Sequence, residues 1–398
     1  MSIDVPTRAG SDQALADTAR RISATLPARS LEIESAGTMP ADLVAEFTKN
    51  NLFRLAMPLD LGGMAVAPRT IIEIVEEVSR GDGATGWSLL IGNIGNAFLA
   101  WLEPEVAESI LAGNPDLVVA GGQAPLGQAV PRPDGTGYQL TGRWPFGSGS
   151  LHAHWFMGGF IVMQDGQPKT NDWGMPVMGV AYFPASEARV DDTWHVAGLG
   201  GTGSHDIVAE DLDLPAAHTS VPYFDRANHP DPLYRLTAYN LLLTVMAGFP
   251  LGVAKRALEE ADAQLRERVQ QSTGRPWIHD PAVQVTLLKH ETALAAARRH
   301  VLETVEELIG SLAEDQGDYA ERARLAASVI HAYDVGREAV QALFRLVGTA
   351  GVLNTNPLQR CMRDLVAGSQ HVAFSFDSRK RIANARLGLQ TAPAFFGV

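Results

Sequence analysis

The chain of 398 residues holds a single cysteine, Cys361. One thiol excludes an internal disulfide and any zinc site built from several cysteines, and it suits a reducing compartment. Basic residues are also scarce, with 32 Lys and Arg against 45 Asp and Glu, a net charge of −13. That balance leaves no electrostatic footprint for nucleic acid or an anionic membrane. Read by eye, no apolar run is long enough to span a bilayer. The opening stretch, "MSIDVPTRAGSDQ", is polar and lacks an apolar signal core, so a cytoplasmic location is expected. The H-E-x-x-H, P-loop and G-x-S-x-G motifs are missing too.

What is present changes texture twice along the chain, which is long enough for two or three packed units. Residues 1–115 look helical. "SDQALADTARRISATL" offers Ser11 or Asp12 as a cap, then Leu15, Ile22 and Leu26 on roughly one face. "TIIEIVEEVSRGDGATGWSLLIGNIGNAFLAWL" predicts two apolar helices split at "GDG". Over residues 116–215 the segments shorten and fill with β-branched and aromatic residues: "LVVAGG", "YQLTGRWPF", "WFMGGFIVM", "VMGVAYF" and "IVAEDLDLP". Turn clusters such as "PRPDGTG" and "QDGQP" separate them. An antiparallel β domain is expected there. Residues 216–398 return to helical spacing, as in Ala297, Val301, Val305, Leu308 and Leu312. The fold class expected is mainly α with a central β domain: an N-terminal helical domain, an antiparallel β domain and a C-terminal helical bundle.

"GLGGTG", Gly198 to Gly203, satisfies the dinucleotide spacing G-x-G-x-x-G. That motif needs a helix after it. Here "SHDIVAEDLDLP" follows and alternates like a strand, so a glycine turn inside the β domain is the better reading. "LHAHW" puts His152 and His154 two apart, a spacing that would share one face of a strand. Nothing nearby completes a metal ligand set, and no metal is expected.

Several strings, in order, resemble the acyl-CoA dehydrogenase superfamily over most of the chain. "GRWPFGSG" followed by "AHWF" looks like the family's flavin-meeting string. "VAGLGGTGSHDIVAEDLDLP" is similar to its later β-domain string. "FPLGVAKRALEEA" resembles the start of the bundle, and "VGTAGVLNTNPLQRCMRD" its glycine turn, proline and Arg-Asp pair. A dehydrogenase of this family needs a carboxylate to take the substrate's α-proton. One family position for it falls at Val372, beside His371. The other falls in "NLLLTVMA". Neither holds a carboxylate.

A branch of the superfamily, the two-component flavin monooxygenases, resembles the chain more closely. That resemblance implies a monooxygenase that takes reduced flavin, FMN more readily than FAD, from a separate NAD(P)H flavin reductase. It would use O2, through a C4a-hydroperoxyflavin, to oxygenate a small aromatic or heteroatom-containing substrate. A displaced-base acyl-CoA dehydrogenase or oxidase is the alternative. The resemblance makes His371 and Ser148 the catalytic candidates. Trp144, Phe146, Gly147, Ser148, Thr202 and Ser204 are the flavin-binding candidates. Trp87, Asn93 and Asn96 become the substrate-pocket candidates; the asparagines follow Gly86-Trp87, where branch members carry a histidine. Gly200 stands where relatives often have arginine. A homotetramer is also implied.

For the residues themselves, an imidazole exchanges protons near neutrality, and a serine hydroxyl both donates and accepts. Val372, Ala373 and Phe374 would keep water from His371. Arg363 and Asp364 are expected to tie two bundle helices together.

Overall fold

The computed structural model describes residues 9–222 and 227–389. Six helices come first: α1 (Ala9–Ser23), α2 (Leu26–Ala36), α3 (Ala41–Lys49), α4 (Pro68–Gly81), α5 (Gly83–Ala97) and α6 (Pro104–Ala112). Helix α1 starts at Ala9, so Ser11 and Asp12 sit in its first turn instead of capping it. The break at "GDG" is real. Asp82 is extended, ends α4, and accepts the Thr85 amide with its side chain to cap α5. That one residue fixes the angle at which α5 leaves α4.

Eight strands follow: β1 (Val119–Pro131), β2 (Gly137–Gly147), β3 (Trp155–Gln164), β4 (Gln167–Pro168), β5 (Met178–Pro184), β6 (Arg189–Asp191), β7 (His205–Pro215) and β8 (Thr219–Ser220). They form one sheet in the order β6-β7-β2-β1-β3-β5-β8, with β4 paired to β3. The sheet is mixed, which corrects the antiparallel expectation: β1 and β3 run parallel. The reason lies in the connection. After the β1–β2 hairpin the chain crosses back through residues 148–154 before β3 begins, and a parallel pair needs such a crossover. His152 and His154 therefore sit in that crossover, not on a strand. The "GLGGTG" segment leads into β7 with no helix after it.

The bundle holds α7 (Ala238–Met246), α8 (Gly248–Glu267), α9 (Pro281–Ala313), α10 (Tyr319–Val347), α11 (Pro357–Gly368) and α12 (Phe376–Arg386). Its starts are specified locally. Asp280 caps α9 with Pro281 behind it, Asp318 and Glu321 form a reciprocal capping box on α10, and Asn356 caps α11. By length and composition the stretch Ala238–Glu267 would span a bilayer, contrary to the reading by eye. In the protein 78% of its most apolar window is buried. It is apolar because it is the centre of the bundle, where α8 packs on α4 and α10.

Two apolar cores result. The larger joins both helical regions and one face of the sheet. The smaller lies within the β domain around Trp144, Phe156, Phe160, Phe183 and Ile207.

Candidate active site

The Arg-Asp helix, the glycine turn and the β2–β3 crossover meet where α5 begins. Ser148 opens the crossover and is 6% exposed. Its Oγ accepts the Trp87 indole N–H at 3.0 Å and lies 2.7 Å from Ser204 Oγ. Ser204 Oγ is 2.6 Å from Thr202 Oγ1. Thr202 in turn donates to the Leu199 carbonyl at 2.8 Å. Three hydroxyls therefore line up behind one another, ending on a peptide carbonyl. Thr202 and Ser204 are buried, so they back Ser148 instead of facing outward beside it.

On its other side Trp87 reaches His371, with ring centroids 6.1 Å apart and planes at 63°. Trp87 thus bridges the two residues the sequence singled out most strongly. Gly368, one turn before His371, makes this possible: a Cβ there would lie 2.6 Å from the Phe249 ring and 3.0 Å from the Trp87 ring. Phe249 packs edge-on against Trp87 at 5.0 Å, and Phe374 stacks on Tyr333 at 4.0 Å.

His371 Nδ1 accepts the Ala373 amide at 3.2 Å, which puts the ring proton on Nε2. Part of the residue is solvent-accessible, yet the ring is enclosed deeply enough that burial pushes its pKa down to about 4. The sequence suggested an imidazole that titrates near neutrality. The structure holds one that is neutral there, with Nε2–H as a donor. Ala373 and Phe374 are buried as expected, but Val372 is exposed and shields nothing.

Phe146 and Gly147 flank Ser148 differently. Phe146 is 71% exposed, sits at φ 63° and stands edge-on to Trp194 at 6.1 Å. A non-glycine residue held at positive φ with its ring in solvent needs a compensating role. Gly147 closes β2 in register with His205.

Three candidates belong to packing instead. Trp144 is 1% exposed, and its indole N–H donates to the Gly159 carbonyl inside the smaller core. Plain alternation would give Trp144, Phe146 and Ser148 one face; the register shift between Trp144 and Gly147, with Phe146 at positive φ, breaks it and leaves Trp144 in the β core. Asn93 accepts the Leu55 amide at 2.8 Å and donates to the Leu52 and Leu89 carbonyls. Asn96 accepts the Val119 amide and donates to the Phe53 and Leu117 carbonyls. Both amides are fully engaged with backbone and are 0% exposed. At about 100° per residue they also lie on the far side of α5 from Trp87.

Arg363 and Asp364 were expected to tie two bundle helices together; their bonds run instead from α11 to α2 and to the glycine turn. Arg363 pairs with Glu34 on α2 and donates to the Ala197 carbonyl. Asp364 Oδ1 accepts the Leu199 amide at 2.6 Å. The pair clamps the glycine turn onto α11 so closely that a Cβ on Gly198 would lie 2.1 Å from the Arg363 carbonyl. Burial, and secondly the neighbouring Asp82, push the Asp364 carboxyl up to about 7. Burial likewise pushes the Cys361 thiol up to about 12, so it is no nucleophile. Sequence reasoning missed this clamp. The Arg-Asp string flagged it, but a partner 165 residues away leaves no local signal.

The two places a dehydrogenase would need its base hold none: α7 carries no carboxylate, and His371-Val372 occupies the other. Models of the acyl-CoA dehydrogenase N-terminal domain and C-terminal domain match residues 10–113 and 244–376. An indole-3-acetate monooxygenase of Pseudomonas putida is 33% identical over 357 residues, covering 89% of this chain and 88% of its own. The chain belongs to the acyl-CoA dehydrogenase superfamily.

Within the superfamily it falls on the flavin-dependent monooxygenase branch. The oxygenase subunit HsaA of Rhodococcus jostii (strain RHA1), a flavin-dependent monooxygenase, is 28% identical over 89% of this chain and 94% of its own. XiaF from Streptomyces sp., solved in complex with FADH2 and glycerol, shares the fold with a TM-score of 0.87 at 23% identity, covering 98% of both chains. The chain is a flavin-dependent monooxygenase.

Proposed function

We propose that this monooxygenase takes reduced flavin from a separate NAD(P)H-dependent reductase and uses O2 to hydroxylate a small aromatic compound of the indole or phenol class. The observation that carries the reading is the Trp87 bridge, which sets Ser148 and His371 on either side of one indole. The residues suit a flat, amphipathic ring. Phe146 offers an exposed aromatic face two positions before Ser148 in the chain, and the Ser148 hydroxyl still has one acceptor position open after its bonds to Trp87 and Ser204.

When bound, the flavin supplies the activated oxygen. Ser148 holds the ring edge in register through its Oγ. His371, neutral with its proton on Nε2, donates to an oxygen of substrate or oxidant and so orients it. Phe249, Phe374 and Tyr333 exclude water on the bundle side. Trp87 keeps the two polar groups at a fixed separation and walls the substrate space. The Pseudomonas putida relative, named for indole-3-acetate, points to an aromatic nucleus of that size.

The functional unit we propose is a homotetramer acting in the cytoplasm. Val285 and Leu288 on α9, and Val352, Leu353 and Phe376 near α11 and α12, are large apolar side chains left in solvent in one chain.

The test supplies chemically reduced FMN or FAD to the protein with O2 and indole, indole-3-acetate or simple phenols. Hydroxylated product formed without any NAD(P)H supports the reading. Peroxide as the sole product across the panel, with flavin shown to bind, counts against it.

A further inference from the structure

The direction of the hydroxyl chain can be worked out from its closed end. A peptide carbonyl only accepts hydrogen bonds. Thr202 Oγ1 lies 2.8 Å from the Leu199 carbonyl, so its proton points there. Leu199 is itself immobilised, its amide held by Asp364 and its carbonyl shared with the Trp194 indole. With the Thr202 proton committed, the 2.6 Å contact between Thr202 and Ser204 needs the Ser204 proton. The 2.7 Å contact between Ser204 and Ser148 then needs the Ser148 proton. The reverse order would leave two oxygens 2.8 Å apart at Leu199 with no proton between them. Ser148 therefore spends its only proton inward. One of its two acceptor positions takes the Trp87 indole N–H, and only the other remains for a ligand. Ser148 meets a ligand as an acceptor.

Flavin changes sign at the atom such a hydroxyl would meet. Reduced flavin carries N5–H, a donor. Oxidised flavin presents a bare N5 lone pair, an acceptor. We propose that Ser204 and Thr202 are specificity-determining residues for the oxidation state of the flavin: they polarise Ser148 so that the site accepts N5–H and disfavours the oxidised ring. This rests on the proposed placing of Ser148 at the flavin edge. Neither residue touches the flavin in this scheme. They act through Ser148, and the Asp364–Leu199 contact anchors the chain.

The consequence is functional. A site that holds reduced flavin more tightly than oxidised flavin loads from the reductase and releases the cofactor once it has been oxidised. An oxygenase that exchanges flavin with a separate reductase needs that asymmetry.

Substitution separates the polarity of the chain from the presence of Ser148. In Ser204→Ala the inward acceptor disappears, and the Ser148 proton is free to turn outward. In Thr202→Val, close in shape to threonine, Ser204 loses its acceptor and turns its proton toward Ser148, with the same result. The experiment is anaerobic equilibrium titration of the full chain with oxidised FMN and with dithionite-reduced FMN, and FAD in parallel. Circular dichroism and thermal melting check that each variant is folded.

The parent is expected to bind reduced flavin at least about tenfold more tightly, the worth of one hydrogen bond made against one lone-pair clash. Ser204→Ala and Thr202→Val should each shrink that ratio about tenfold, mainly by tighter binding of the oxidised form. A parent that binds both states equally overturns the inference and leaves the flavin reading standing. So does either folded variant keeping the parent's ratio. A parent that binds neither state overturns the flavin reading and the inference together.

Discussion

Replacing Asp364 by asparagine should change how stability depends on pH. The side chain is 3% exposed and accepts the Leu199 amide. Asparagine keeps an acceptor oxygen for that amide and removes the charge. The folded carboxyl sits at about 7 against the 3.8 of an ordinary aspartate, because burial and the nearby Asp82 both oppose ionisation. Between those values the folded state holds a proton that the unfolded chain has released. The contribution of Asp364 to stability is therefore greatest below about pH 4 and is lost as pH rises through about 7. From about pH 5 to about pH 8 the loss spans roughly two pKa units, or about 3 kcal/mol at about 1.4 kcal/mol per unit.

The wild-type curve alone will not show this. His152 and His371 are both held down to about 4 by burial, so they add stability as pH rises over an overlapping range. The difference between variant and parent isolates Asp364. Urea unfolding at about pH 5, 6, 7 and 8 should find Asp364→Asn gaining on the parent by about 3 kcal/mol across the series, then levelling off. A difference that stays flat with pH would show that Asp364 is ionised throughout, paired by the clamp instead of strained by it.

His371→Ala removes the Nε2–H donor, so product per reduced flavin should fall on the order of 10²-fold with a matching rise in peroxide, while flavin still binds. Because the imidazole stays neutral above about pH 4, coupling in the parent should show no step near pH 6.5; a step that His371→Ala abolishes would refute the neutral-donor role. Asn93→Ala strands the Leu55 amide and two carbonyls. Chemical denaturation should record about 2–3 kcal/mol lost, with activity per folded molecule unchanged. NAD(P)H without a reductase should give no turnover, and oxygen consumption after adding reductase checks it.

Much of the fold was legible because periodicity and turn residues carry it. The split at Asp82 and the strand after Gly203 could both be read from a few adjacent residues. The parallel β1–β3 pair could not, since the crossover at 148–154 looks like any turn in sequence. The site divides the same way. His371 and Ser148 stood out through their motif context. Trp144, Asn93 and Asn96 were misassigned because residue type near a motif says nothing about which face a side chain takes. Trp144 is turned into the β core, and the two amides are engaged by the backbone of Leu52, Phe53 and Leu55 and of Val119 in β1. The hydroxyl chain and the Asp364 clamp join residues 56 and 165 positions apart, so only the folded chain brings them together.

A single turnover with reduced flavin under ¹⁸O₂ tests the central claim most directly. The protein is loaded anaerobically with reduced FMN or FAD and an indole or phenol, then mixed with labelled oxygen, with no NAD(P)H present. One ¹⁸O atom should appear in the organic product, at a yield that His371→Ala and Ser148→Ala both depress. Product bearing oxygen from water, or bound flavin bleached by an acyl-CoA thioester under anaerobic conditions, would contradict it.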